Sequence, residues 1–306
     1  MCSVFQQARK FIYKNARPLD LARWQYHFEG GSQQAVINTL MFYQNEDGGF
    51  GHSLEPDAWN PNSSPIQTWA ATEILREVNF SDSSHPLVTG ILVYLASGRH
   101  FSGRHWYSTI PSNNHYPHAP WWRAGSDHKM PVDYNPTAAL AGFIIKYGDK
   151  NSALYAQGCR IAQEAVRTYL EGELLESMHT VSCYIRLMQY IEEAGAADII
   201  DFAALQAKLI KQTAYSITKD TDEWRNSYVC RPSHFFLSPD SVFYPANKEI
   251  ADLECEFIVD TQLEDGSWQI PWQWDAYPEE WAISKNWWKS HVIITNLLYL
   301  KGFKKI

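Results

Sequence analysis

Three carboxylates and two histidines stand where a helical chain can put them to chemical use. Glu55 and Asp57 precede the run that opens at Ser64-Pro65, and Asp133 precedes Asn135-Pro136. His179 follows Leu175 by about a turn, and His291 sits in Ser290-His291-Val292-Ile293. Each lies just before, or in the first turns of, a predicted helix, where unpaired N–H groups and the helix dipole favour anionic groups. A carboxyl group held protonated in a dry site can deliver a proton. Two carboxylates flanking a glycosidic bond can cleave it, so Glu55, Asp57 and Asp133 also fit a carbohydrate hydrolase or lyase. Trp121, Trp122, Trp272 and Trp274 would then stack on sugar rings. A third reading makes these acids helix caps and the chain a non-catalytic binding or interaction module.

Composition narrows the classes. The 306 residues are 45% hydrophobic and 20% charged, enough apolar surface for a substantial core. Aromatic side chains stand out, with 13 Trp, 17 Tyr and 14 Phe to build platforms for apolar, cationic or sugar ligands. A formal net charge of −8 and the absence of a basic stripe argue against nucleic acid as a partner. The five cysteines are scattered and form no Cys-x-x-Cys pair, so neither a disulfide framework nor a cysteine zinc cluster is expected. No leader and no membrane-spanning run is read, which makes a cytoplasmic protein with a small-molecule substrate the expectation. The sequence sets no oligomeric state.

The elements that must position these residues are helices. Apolar spacing predicts them near 3–14 (ended by Pro18), 32–45, 65–78, 84–98, 136–147, 151–170, 175–194, 200–216, 246–263 and 287–301. Ser64, Pro65 and Gln67 spell a capping box with proline at the first helical position. Gly98 and Gly148 stop two helices. The stretch 99–134 breaks the rhythm, with Pro111, Pro117, Pro120 and Pro131 among Trp106, Tyr107, Tyr116, Trp121, Trp122 and Tyr134. It also carries His100, His105, His115, His118 and His128, and it reads as an ordered lid over a cavity or a packed insertion. The stretch 217–245 is irregular again. No linker or composition shift divides the chain, so one domain over 1–306 is expected.

Two segments carry a family likeness. Gln44-Asn45-Glu46-Asp47-Gly48-Gly49-Phe50-Gly51 and Gln262-Leu263-Glu264-Asp265-Gly266-Ser267-Trp268 share the form Gln-x-x-Asp-Gly-[Gly/Ser]-aromatic, each after a helical run. Glycine after Asp permits the positive φ of a tight turn. The pair resembles the Gln-Trp repeat of squalene and oxidosqualene cyclases and the related turns of protein prenyltransferase β subunits. That resemblance implies an all-α protein built as an α/α toroid, two concentric layers of helices around a central cavity, irregular in the repeat where 217–245 falls. It further implies an isoprenoid-like apolar substrate. Asp57 or Asp133 would be the general acid, His179 and His291 polar or proton-transfer groups, and Trp122, Trp268 and Trp272, with Trp121 and Tyr134, the aromatic wall. Asp47, Gly48, Asp265 and Trp268 would brace the turns.

The chain departs from the family in its motifs. The Asp-x-Asp-Asp acid of the cyclases is missing, Asp220-Thr221-Asp222-Glu223 being the nearest text, and there is no Asp-Asp-x-x-Asp. Prenyltransferases bind zinc through Asp-x-Cys and a later His. His291 and Cys230 match, but Tyr228 stands where the Asp belongs, so neither a metal nor any other cofactor is expected.

Overall fold

The computed structural model describes residues 2–125 and 133–306. Among the described residues regular structure is helical, in chain order α1 (Cys2–Asn15), α2 (Pro18–Phe28), α3 (Gln33–Leu40), α4 (Pro65–Glu77), α5 (Pro86–Ala96), α6 (Thr137–Tyr147), α7 (Ala153–Glu171), α8 (Met178–Glu193), α9 (Phe202–Ser216), α10 (Glu223–Asn226), α11 (Lys248–Asp260) and α12 (Pro278–Gly302). Among the described residues β pairing is limited to isolated bridges such as Gln44 with Phe50. None of these helices is long and apolar enough to cross a membrane. Contacts gather the chain into two compact units, a terminal one of Met1–Thr39 with Ile210–Ile306 and a middle one of Leu40–Leu209.

In the middle unit the core is α6, buried at every position except Lys146, and it lies against α7 and α8. Gly142 makes the α6–α8 approach possible, since a Cβ there would sit 3.0 Å from Leu187 Cα and the Tyr190 ring. Arg186 of α8 clasps Glu73 of α4 through Nε and Nη2 at 2.5–2.9 Å. Planar two-point contacts of this kind fix orientation as well as distance. In the terminal unit α12 lies along α1 and α2, and Tyr299 Oη donates to the Ala251 carbonyl of α11 at 3.1 Å.

The two Gln-x-x-Asp-Gly turns are geometric copies, one in each unit. Gln44 Nε2 donates to Gly48 O (3.0 Å) and to Leu87 O in the first turn of α5 (3.0 Å). Gln262 Nε2 donates to Gly266 O (3.0 Å) and to Val4 O in the first turn of α1 (2.9 Å). The Asp side chain accepts from the N–H two residues on, Gly49 N to Asp47 and Ser267 N to Asp265. A cation closes each, Arg99 on Asp47 at 2.6 Å and Lys289 on Asp265 at 2.8 Å. The glutamine therefore ties its turn to a neighbouring helix. Positive φ falls on Gly48 (84°) and Gly266 (88°), and Gly49 does not need it.

Local signals held where only the chain's neighbours mattered and bent where tertiary contacts competed. Ser64 Oγ accepts from Gln67 N (3.2 Å) as a cap should. The Gln67 side chain does not return to Ser64; it reaches into the preceding loop, accepting from Leu54 N (2.9 Å) and donating to Asn60 O (3.1 Å). Pro18, expected to end a helix, opens α2 from its first position, which suits a residue without an N–H. The last helix starts at Pro278, nine residues before the apolar stripe that predicted it, and α6 starts at Thr137.

Candidate functional site

The proposed site residues divide between the units. Glu55, Asp57, Trp121, Trp122, Asp133, Tyr134 and His179 belong to the middle unit, Trp268, Trp272 and His291 to the terminal one.

The terminal unit builds its site on α2 and α12. Arg17, Asp20 and Arg23 recur at i, i+3 spacing, which places them on one helical face. Asp20 is fully buried and accepts from Arg17 Nε (2.7 Å) and Arg23 Nη1 (2.8 Å). Arg23, also buried, presents Nη2 to His291 Nδ1 at 3.3 Å. A guanidinium can only donate, so Nδ1 accepts and the ring proton sits on Nε2. From His291 aromatic rings continue edge to face: Trp288 at 5.7 Å, then Trp272 at 5.2 Å from Trp288, then Tyr228 at 5.0 Å from Trp272. Arg17 lies over the Trp287 ring at 5.5 Å. The rings grade outward from a buried charged floor to Tyr228, 47% exposed. Such a wall suits apolar or cationic groups.

Trp268 stands apart from this run. It is buried, and its indole N–H donates to Ile258 O at 2.9 Å, as a brace of the second turn. Tyr228, where a zinc-binding Asp would stand, points its ring at Trp272 instead. Cys230 is buried beside Glu254. Burial first, then the Glu254 charge, push its thiol up to about 12, with Lys219 and Arg231 opposing. A thiol so far from ionising is a poor nucleophile. Iodoacetamide at about pH 8 should leave Cys230 unmodified in the folded chain and label it after denaturation. Peptide mass spectrometry reads the result, and equal labelling in both states would refute the assignment. Among the described residues no three His, Cys, Asp or Glu side chains group as metal ligands.

The middle unit holds two clusters. In the first, Asp133 meets the start of α8, accepting from Thr180 Oγ1 at 2.8 Å and from the Asn135 N–H. Two histidines feel its charge. His179 is exposed as a residue, yet the protein packed around its ring lowers its proton affinity, and Asp133 opposes that lowering. His105 is lowered by burial and then by Arg104, with Glu164 and Asp133 opposing. Tyr134 bridges His105 (4.8 Å) and Tyr184 (5.7 Å), and Tyr184 stacks on Tyr169 at 4.6 Å. The structure thus brings Asp133, Tyr134 and His179 together, with His105 added.

The second cluster is Glu55 and Asp57, both buried. Glu55 Oε2 accepts from Asp57 N at 3.1 Å, and Asp57 O accepts from Ala119 N at 2.9 Å. Trp59 N donates to Pro117 O beside it (2.9 Å), so the loop 52–60 is laced to 116–119. Asparagines hold the rest of the aromatic segment. Asn60 Nδ2 donates to Ser112 and Asn113, Asn113 Nδ2 to Trp122 O, and Asn114 pairs with Ala124 in both directions. Trp121 is 46% exposed, while the Trp122 indole N–H is buried with no partner among the described residues. His128 and Pro131, part of the expected lid, lie outside the described residues.

Sequence reasoning passed over Asp20, Arg17, Arg23, Trp288 and Glu254. The first three did leave a signal, Arg-x-x-Asp-x-x-Arg between apolar Leu19, Ala22 and Trp24, hidden because Pro18 read as a stop. Glu254 is fully buried and accepts from Ser233 N (2.8 Å) and Oγ (2.6 Å), with Arg231 Nε at 3.4 Å. Its carboxyl is raised by burial against those partners.

Fold and site together define an all-helical protein whose two units each carry one Gln-x-x-Asp-Gly turn. No family model matches the chain, and no curated protein matches it. The crystal structure of a protein from Actinoplanes resembles it, with a TM-score of 0.51 at 13% identity over 98% of each chain. That likeness speaks to the fold alone.

Proposed function

We propose that this chain is a terpenoid cyclase- or prenyltransferase-like protein that binds, and as an enzyme acts on, an isoprenoid-like apolar molecule, and that its helices form the α/α toroid of that superfamily. The observation that carries this reading is the run Tyr228–Trp272–Trp288–His291 above the buried Arg23–Asp20 pair. The rings offer a wall for a branched hydrocarbon or for positive charge developing on it. His291 is oriented by Arg23 through Nδ1 and is the polar or proton-transfer group we assign here. The middle unit offers a separate candidate, Asp133, which accepts from Thr180 and whose charge reaches His179 and His105, as an acid–base group of its own.

Calorimetric titration with farnesol and with a maltooligosaccharide tests the assignment. Farnesol should bind, and Trp272→Ala should weaken it by roughly tenfold with the melting temperature unchanged. Binding of the saccharide in its place would transfer the reading to the carbohydrate alternative through Glu55, Asp57 and Asp133. Binding of neither would leave a non-catalytic module.

A further inference from the structure

A second concavity in the terminal unit differs in character from the aromatic run. It is an open cleft of about 610 Å³ lined by Phe5, His27, Phe28, Lys301, Lys304, Lys305 and Ile306. Its floor is apolar and stiff, because Phe5 stacks on the buried Trp24 at 5.1 Å and Phe28 meets Trp24 at 4.8 Å and Phe5 at 5.9 Å. Its rim is cationic, in a chain whose formal charge is −8. Lys301 is already engaged, with Nζ on His27 O at 2.8 Å and 5.6 Å above the Phe28 ring. Lys304 and Lys305 are exposed, and neither is paired with a carboxylate among the described residues.

The backbone holds these two lysines in place. Lys305 N donates to Leu300 O (2.8 Å) and Lys304 N to Lys301 O (3.0 Å), the paired closure of a Schellman cap. Phe303 anchors the turn, stacked on Tyr299 at 4.5 Å. Lys304 occupies the left-handed position of the cap at φ 57°, where glycine is the ordinary residue. A lysine is therefore held in a conformation that disfavours it, at a position that lines the cleft.

We propose that this cleft binds an amphipathic anion, a single carboxylate or phosphate head on a hydrocarbon chain, with the chain on Phe5 and Phe28 and the head between Lys304 and Lys305. It is separate from the site of the proposed function, since Lys301 lies ten residues, about 15 Å, beyond His291 along α12.

The test is calorimetry on the full chain with dodecanoate and dodecyl phosphate below their micelle concentrations. Inorganic phosphate, dodecanol and phosphatidylglycerol vesicles serve as comparison probes. One equivalent of either dodecyl anion should bind, more tightly than its hexyl homologue. Lys304→Gln with Lys305→Gln should weaken it at least about tenfold. Lys304→Gly should weaken it too while holding or raising Tm, an outcome that a purely structural role for Lys304 forbids. Trp272→Ala should leave this affinity unchanged, which separates it from the farnesol site. Equal binding of dodecanol, no dependence on chain length, or undiminished affinity in the double variant would overturn the proposal. Binding to anionic vesicles without binding to the free anions would replace it with surface adsorption, and tight binding of inorganic phosphate alone would remove the tail from the account.

Discussion

Asp20→Ala should unfold the terminal unit more readily by about 3–5 kcal/mol, the loss seen when one partner of a buried ion pair is removed. Asp20 accepts from both the Arg17 and the Arg23 guanidinium groups, and all three residues are at most 7% exposed. Without it two positive charges sit close together in a low-dielectric environment, and neither can shed its proton. Arg23 would also lose the fixed orientation that aims it at His291. Urea denaturation should show a lower midpoint at unchanged slope, and heating a fall in Tm on the order of 10 °C. Combining Asp20→Leu with Arg23→Met should recover part of the loss, because a well-packed apolar substitute often matches a buried ion pair. A midpoint unmoved by Asp20→Ala would mean that other groups, not Asp20, compensate these arginines.

Gly48→Ala and Gly266→Ala should each cost about 3 kcal/mol or more, well above an ordinary positive-φ glycine. Both glycines sit at positive φ, and both face backbone. A Cβ on Gly48 would run into the Gly90 carbonyl of α5, and one on Gly266 into the Gln7 carbonyl of α1. A carbonyl within a helix cannot swing aside as a side chain can. Gly98→Ala isolates the conformational part, since Gly98 has φ 69° with nothing within 4 Å of its Cβ. That variant should lose only about 1 kcal/mol. Thermal denaturation of the three variants compares them directly. If Gly98→Ala proves as costly as the other two, close approach is not what the turns depend on.

The turns were also the part of the fold most legible in the sequence. Gln, Asp and Gly each act there through local geometry, so seven residues repeated at two points were enough to find them. What the text could not show was where each glutamine amide would reach, Leu87 and Val4 being remote in sequence. Helix caps behaved likewise. Ser64 capped its own helix, but Gln67 was drawn away by a loop whose N–H and carbonyl needed partners more. The site was less legible. Asp133 and His179 each stood out at a predicted helix start, their proximity was not readable, and Trp272 and His291 came together through Trp288. The charged floor under His291 was missed because a helix was taken to end where α2 begins. Glu254 looked like any surface acid on an amphipathic helix until its burial was seen.

The division of the chain has a temporal side. Residues 40–209 are contiguous, so the middle unit has all its parts as soon as α8 and the start of α9 have been made. The terminal unit is interrupted, and the Val4 carbonyl must wait for Gln262, 258 residues later. At ~5–20 residues per second that delay is roughly 10–50 s. Throughout it α1 and α2 lack α12, the helix they pack against, and Phe5, Trp24 and Phe28 lack part of their cover. α1 and α2 are thus made long before the helix they pack against, and until α12 follows they expose part of an aromatic surface of the kind that chaperones bind.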